Sequence, residues 1–87
     1  MTNIFETNKT YWTTTKATNE LRLFKVTNVL RRKSTKERVF VVGSFDGKAE
    51  QRYEIKHTNE GTEFIIVDNR YCTVITASAE YQRKENN

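Results

Sequence analysis

Residues 38–58 read RVFVVGSFDGKAEQRYEIKHT, which places two strand-like runs on either side of a turn signal. The first run is apolar at positions 39–42, and in the second Tyr53 and Ile55 alternate with charged residues. Such alternation is typical of a strand that is buried on one face. Asp46-Gly47 supplies the positive φ that a tight hairpin turn needs. The pattern therefore predicts two antiparallel strands, at residues 37–45 and 48–58.

The flanking sequence extends this hairpin into a meander. Residues 62–68 and 71–78 each form an apolar run bounded by turn-forming residues, which predicts two further strands. Residues 20–31 predict another strand, and the slip in its alternation near Thr27-Asn28 predicts a β-bulge. Residues 10–16 are either a further strand or an extended arm. The only helix candidates are residues 3–9 and 77–84.

These elements predict an all-β fold in a single domain of 87 residues, with five or six antiparallel strands. We expect an SH3-like or OB-like barrel, because closure removes exposed sheet edges. Residues 1–9 and 82–87 are predicted to be peripheral or frayed. The apolar run at residues 64–67 leaves its register open, since a one-residue slip exchanges its faces. The predicted core consists of Leu23, Val39, Val41, Tyr53, Ile55, Phe64, Ile66, Val74 and Ile75.

Several function classes are disfavoured by what the sequence lacks. His57 is the only histidine and Cys72 the only cysteine, so a nucleophile–base pair, a disulfide or a thiolate metal cluster is not expected. The three glycines form no phosphate-binding loop. No run of 18 apolar residues is present. We expect a soluble, cytoplasmic protein that is not an enzyme and needs neither a cofactor nor a metal nor a membrane.

The positive charge is concentrated in one part of the chain. Residues 22–38 contain seven Lys or Arg against one acid, Glu37, so this segment carries +6 while the remainder carries −2. A basic loop of this kind can neutralise phosphates, with counterion release. The predicted phosphate-binding residues are Arg22, Lys25, Arg31, Arg32, Lys33, Lys36 and Arg38. The residues predicted to stack on unpaired bases are Tyr11, Trp12 and Phe45.

Two hypotheses for function follow from this charge. In the first, the protein binds nucleic acid, RNA ahead of DNA, and reads little sequence. In the second, the same surface binds and inhibits an acidic host protein. The sequence leaves the oligomeric state open, a dimer included.

The opening residues, MTNIFETNKTYWTTTKATNE at 1–20, and the closing KENN at 84–87 are rich in Asn, Thr and Lys. In this composition the chain resembles small accessory proteins of large T-even-type tailed phages. The resemblance implies a viral protein acting in the host cytoplasm, such as an RNA-binding, antitoxin-like inhibitor of a host toxin or defence system. It assigns no role to any individual residue.

Overall fold

The computed structural model describes residues 3–68 and 73–82, which form seven β-strands and no helix. The strands are β1 (Thr10–Thr14), β2 (Leu21–Arg31), β3 (Arg38–Phe45), β4 (Gln51–Glu54), β5 (Lys56–His57), β6 (Glu63–Asp68) and β7 (Thr73–Thr76). The predicted all-β class is confirmed. Residues 3–9 and the described part of 77–84 are not helical, and residues 10–16 contribute a strand, β1. Within the described ranges, no helical segment has the length and apolar character needed to cross a membrane.

The strands form two antiparallel sheets in sequential order. Sheet A contains β1-β2-β3-β4, and sheet B contains β5-β6-β7. The predicted strand at residues 48–58 is divided between them at Ile55, whose N–H still donates to the Val39 carbonyl oxygen at 2.8 Å. After β7 the chain returns to β1, where the Trp12 N–H donates to the Ala79 carbonyl oxygen at 3.0 Å. The predicted meander is therefore confirmed.

The Asp46-Gly47 turn is confirmed, with φ values of 47° and 76°. A hydrogen bond of 2.8 Å from the Lys48 N–H to the Phe45 carbonyl oxygen closes it. A strict two-residue loop would pair Gly43 with Glu50, but the ladder pairs Gly43 with Gln51. One extra residue is thus accommodated between the turn and β4.

The bulge predicted near Thr27-Asn28 is also confirmed, because the β2–β3 register shifts between Val26 and Asn28. The Thr27 hydroxyl donates to the Val42 carbonyl oxygen at 3.2 Å. Since the bulge inserts one residue, both Val26 and Val29 reach the core although they are three positions apart. Before the bulge β2 presents even-numbered residues to the core, and after it odd-numbered ones.

The core lies between the two sheets. Its buried apolar residues are Phe5, Tyr11, Phe24, Val26, Val41, Ile55, Ile65, Ile75 and Ala77. The predicted core residues Val41, Ile55 and Ile75 are confirmed, while Val39 and Tyr53 are half-buried. The prediction was wrong at Leu23, Phe64, Ile66 and Val74. These four side chains lie on the opposite faces of their strands, because Phe24 and Ile65 are the residues that point inward.

The segment before β1 contributes Phe5 to this core, although residues 1–9 were expected to be peripheral. Phe5 is fully buried, and its ring meets that of Tyr11 edge to face at 4.9 Å between centroids. The Glu6 N–H donates to the Tyr11 hydroxyl at 2.9 Å. Burial raises the pKa of Tyr11 above its ordinary value.

Candidate nucleic-acid interface

The loop between β2 and β3 is basic, and residues 31–37 are all exposed. Hydrogen bonds from the Arg32 N–H to the Glu37 carbonyl oxygen (2.8 Å) and from the Lys36 N–H to the Arg32 carbonyl oxygen (2.7 Å) define its backbone. The Arg31 Nη1 donates to the Lys36 carbonyl oxygen at 3.0 Å. We call Arg31, Arg32, Lys33 and Lys36 the basic tip. Within the described residues, no carboxylate pairs with any of these four side chains.

Arg38 was predicted to bind phosphate, but in the structure its guanidinium pairs with a buried carboxylate. Its Nε and Nη2 donate to the two carboxylate oxygens of Glu63 at 2.8 and 3.0 Å, and Nη2 also donates to the Phe5 carbonyl oxygen at 2.6 Å. Glu63 is 2% exposed and accepts a further bond from the Phe5 N–H at 2.9 Å. Arg38 therefore neutralises a buried carboxylate and holds the N-terminal segment, which leaves it unavailable to a phosphate.

Arg22 does not join the basic tip either. It lies near the start of β2, roughly 30 Å from the tip given the rise of an eleven-residue strand. Its Nε donates to Asp46 at 3.3 Å, and its guanidinium lies 4.7 Å from the centroid of the Phe45 ring. Since Phe45 also packs on Phe24, this ring is not a free stacking platform.

Of the other two predicted stacking residues, one is accessible. Tyr11 is 1% exposed and belongs to the core, so it cannot stack on a base. Trp12, the next residue, is 42% exposed because successive side chains of a strand point to opposite faces. Trp12 therefore lies on the side of sheet A that faces away from sheet B, which we call the outer face.

The outer face of sheet A carries an apolar row between charged residues. The β-ladder places Trp12 beside Leu23, Leu30 beside Phe40, and Val42 beside Arg52, and directly opposed residues share a face. None of the five apolar members packs against the core cluster. The Trp12–Leu23 pair and the Leu30–Phe40 pair are separated by about 20 Å along β2. The face therefore presents two aromatic positions a few nucleotides apart.

Two further cations lie on this face. Lys25, between the two aromatic positions, is exposed and has no carboxylate partner in the described part of the chain. The Arg52 guanidinium lies 4.6 Å from the centroid of the Phe40 ring, a cation–π contact that leaves its charge uncompensated. Glu54 is the acid of this face, and Lys56 neutralises it at 3.2 Å.

The ion pairs separate the cations of the chain into two groups. Of the twelve described Lys and Arg side chains, four pair with a carboxylate, and they are Lys9, Arg22, Arg38 and Lys56. The remaining eight are Lys16, Lys25, Arg31, Arg32, Lys33, Lys36, Lys48 and Arg52. Six of these eight belong to the basic tip or to the outer face of sheet A. In the described part of the chain, most of the positive charge without a carboxylate partner therefore lies on the outer face of sheet A or at the basic tip beside the Leu30–Phe40 pair.

Sequence reasoning missed Phe40 and Arg52 as members of the site. Phe40 belongs to an apolar run in which either face could be the buried one, and Arg52 alternates with Tyr53 like any solvated strand residue. The register of the β3–β4 hairpin brings them together. The signal in the sequence was weak, because the extra residue after Asp46-Gly47 shifts that register by one position.

Other site chemistries find little support in the side chains. Across residues 3–68 and 73–82, no group of three or more His, Cys, Asp or Glu is arranged to hold a metal ion. His57 is exposed on β5. Cys72 lies outside the described residues.

Comparison of the chain with protein-family models, with curated protein sequences and with solved structures gave no match. The function must therefore be argued from the chemistry and geometry of the surface itself.

Proposed function

We propose that this protein is a non-enzymatic binder of single-stranded nucleic acid, RNA ahead of DNA, and that it binds on the outer face of sheet A and the basic tip. The observation that carries the proposal is that six cations without a carboxylate partner among the described residues lie on or at one end of a sheet face that carries exposed Trp12 and the Arg52-stacked ring of Phe40. Basic grooves with aromatic side chains are the recurring solution for binding unpaired strands.

The two parts of the surface have different tasks. The basic tip and Lys25 neutralise phosphates, and each contact releases counterions, so this contribution is sensitive to salt and indifferent to sequence. Trp12 and the stack of the Arg52 guanidinium on the Phe40 ring each receive a base, and these two bases are about three to four nucleotides apart, which a paired duplex does not offer. Aliphatic residues between them contact sugars and base faces. The arrangement favours flexible single strands over duplexes and supplies no obvious reader of base edges.

The finer architecture that we propose is a small barrel of the SH3-like or OB-like kind. Two observations support it: the Tyr11–Glu80 bridge next to β1, and the Ile55–Val39 hydrogen bond where the chain passes between the sheets. Both connect sheet A to the elements of sheet B. Barrels of this size commonly present one outer face to nucleic acid.

Titration of Trp12 fluorescence with short homopolymers tests this function directly, because Trp12 is the only tryptophan. We expect quenching by a single-stranded RNA of about ten nucleotides and much weaker quenching by a duplex of equal length. Absence of binding at low salt, or equal binding of duplex and single strand, would refute the proposal.

Single substitutions then assign the contacts. Arg32→Gln and Lys33→Gln should each lower the slope of log affinity against log salt by about one contact. Phe40→Leu should weaken affinity by roughly ten-fold and leave the slope unchanged, since stacking is worth ~1–3 kcal/mol per base. Lys48→Gln is the matched control, because Lys48 is exposed, has no carboxylate partner among the described residues and lies outside the basic tip and the outer face.

The second candidate function is that the protein binds an acidic protein. The aliphatic members of the outer face, Leu23, Leu30 and Val42, favour it, because aliphatic residues bordered by cations also suit an acidic protein surface. Purification with and without nuclease distinguishes the two functions: nuclease-sensitive material supports the first, and a stoichiometric protein that survives nuclease supports the second. In the phage setting that the composition suggests, either form of binding would serve to inhibit a host toxin or defence system.

A further inference from the structure

The end of the molecule opposite the basic tip is lined by inward-facing polar residues. Along β1, β2, β4 and β7 the inward positions are apolar or aromatic in the centre, as at Tyr11 in β1 and Ile75 in β7. Two residues further toward this end the inward positions become polar. The polar residues at these positions are Thr13, Arg22, Gln51 and Thr73.

These residues surround a cleft of about 500 Å³. That volume lies within the range of small-molecule sites. Phe45 and Tyr53 supply its aromatic wall, and both rings pack on Phe24 with centroid distances of 5.1 and 5.6 Å. The Tyr53 hydroxyl lies 3.4 Å from Gln51 Oε1. This hydrogen bond is long, so both groups can still bind a ligand.

Two cations line the same cleft. Lys16 lies in the β1–β2 loop, exposed and without a carboxylate partner among the described residues. Arg22 is held in place by Asp46 and by the Phe45 ring, and within the described part of the chain only its Nε is engaged by a carboxylate. The remaining donors of the guanidinium form the planar fork that suits phosphate oxygens. Among the described lining residues, Lys16, Arg22 and Asp68 are charged and give a net charge of +1.

We infer that this cleft binds a nucleoside monophosphate, with its phosphate at Arg22 and Lys16 and its base against Tyr53. An aromatic wall with only one cation would suit many planar ligands, and two cations alone would suit any anion. The combination within one cleft selects a ligand that has both an aromatic ring and a phosphate. The ligand is either a free mononucleotide or the terminal nucleotide of a strand. The inference does not depend on the proposed function, because the cleft and the basic tip lie at opposite ends of β2.

The test is an NMR titration of the ¹⁵N-labelled protein with uridine and adenosine monophosphates, with uridine and inorganic phosphate as partial ligands. We expect saturable shifts of the amides of residues 15–18, Arg22 and Tyr53, and none at residues 32–36. The partial ligands should bind at least ten-fold more weakly than the nucleotides. No shifts at millimolar nucleotide, shifts confined to the basic tip, or phosphate binding as tightly as nucleotide would each overturn the inference.

Variants complete the test. Lys16→Gln, in an exposed loop, should weaken nucleotide binding by about ten-fold without disturbing the fold, and Arg22→Gln should weaken it further. Lys56→Gln is the control of equal charge change, and an equal loss in this control would refute the assignment. If an RNA pentamer with a 5′-phosphate competes for the cleft better than the same pentamer with a 5′-hydroxyl, the ligand is the end of a strand. If the two pentamers compete equally, the ligand is the free nucleotide. Trp12 fluorescence on the same samples reports strand binding separately, so either proposal can fail alone.

Discussion

Replacing Arg38 should destabilise the protein more than replacing any other cation of the β2–β3 hairpin. Arg38→Met removes two bonds to Glu63 and one to the Phe5 carbonyl oxygen. The Glu63 carboxylate, 2% exposed, is then left with the Phe5 N–H as its only donor among the described residues. Leaving a buried charge without its partner costs about 3–5 kcal/mol. That is a large share of the roughly 5–15 kcal/mol by which domains are stable.

Glu63→Gln should cost less, about 1–3 kcal/mol. The amide oxygen of Gln can still accept from the Phe5 N–H. The Arg38 side chain is 20% exposed, so water partly solvates the charge that this substitution leaves unpaired. The asymmetry between the two variants therefore follows from the difference in exposure of the two partners.

Urea unfolding followed by circular dichroism measures both losses, with Arg32→Met as the matched control. Arg32 is exposed in the loop, so its replacement should change the free energy of unfolding by no more than about 0.5 kcal/mol. The reasoning fails if Arg38→Met costs less than about 1 kcal/mol, or if Glu63→Gln is the more damaging of the two. Under conditions where Arg38→Met remains folded, its salt slope for RNA binding should equal that of the unmodified protein, in contrast to Arg32→Gln.

Two further predictions concern the core. Gly43→Ala should destabilise by about 1–3 kcal/mol in the same assay, because an added Cβ would overlap the Lys25 backbone carbonyl oxygen and the Phe24 ring, whereas Gly47→Ala meets no neighbour and should cost only about 1 kcal/mol through its positive φ. Burial raises the pKa of both Tyr11 and Tyr53, so their protonated forms stabilise the fold fully below pH 10, and this stability is lost as the pH rises through their folded-state pKa values. Absorbance titration at 295 nm should show the Tyr11 and Tyr53 phenols ionising above pH 10, and ionisation of these two phenols at pH 10 would contradict it.

Local sequence signals gave most of the strand framework. The Asp46-Gly47 turn, the bulge at Thr27 and the approximate positions of most strands are encoded within a few residues, through positive φ and alternation, whereas the division of residues 48–58 at Ile55 is not. The exposure of the basic tip was predictable for the same reason, since no apolar residue interrupts residues 31–38. These features depend on the backbone preferences of neighbouring residues and not on the tertiary structure.

The inward faces of β2, β6 and β7 were not predicted correctly. Residues 64–67 are apolar on both faces, and Leu23 competes with Phe24, so alternation alone does not decide which side chain is buried. The structure shows why: both outer faces keep apolar residues, such as Phe40 on sheet A and Val74 on sheet B. When both faces of a strand carry hydrophobic side chains, the alternation of apolar and polar residues no longer shows which face is buried.

The roles of the cations were equally hidden. Arg38 and Arg32 have similar neighbours in the sequence, yet one is paired with Glu63, 25 residues away, and the other is exposed. Only the tertiary structure brings that carboxylate to Arg38. The sequence therefore located the basic segment but could not separate the arginine that stabilises the fold from the residues that are open to a ligand.

The last prediction concerns the edge of β1 that does not pair with β2. If sheet A ended at β1, its outer edge would expose unpaired amides that can recruit another chain. Instead the Trp12 N–H donates to the Ala79 carbonyl oxygen, and the Tyr81 N–H donates to the Thr10 carbonyl oxygen at 2.8 Å. Hydrogen exchange should therefore show the Trp12 and Tyr81 amides protected well beyond an exposed loop amide such as that of Lys33.

Tyr81→Pro tests the cause of this protection, because proline removes the donor, while Tyr81→Phe keeps it as the matched control. We expect faster exchange at Trp12 and concentration-dependent association in the proline variant alone. An ion pair of 2.9 Å between Lys9 and Glu80 reinforces the same edge, raising the pKa of Lys9 and lowering that of Glu80. Because this pair is exposed, high salt should weaken it and leave most of the protection intact. Rapid exchange at Trp12 in the unmodified protein, or no response to Tyr81→Pro, would show that residues 79–81 do not cover β1, and the proposed barrel closure would lose its main support.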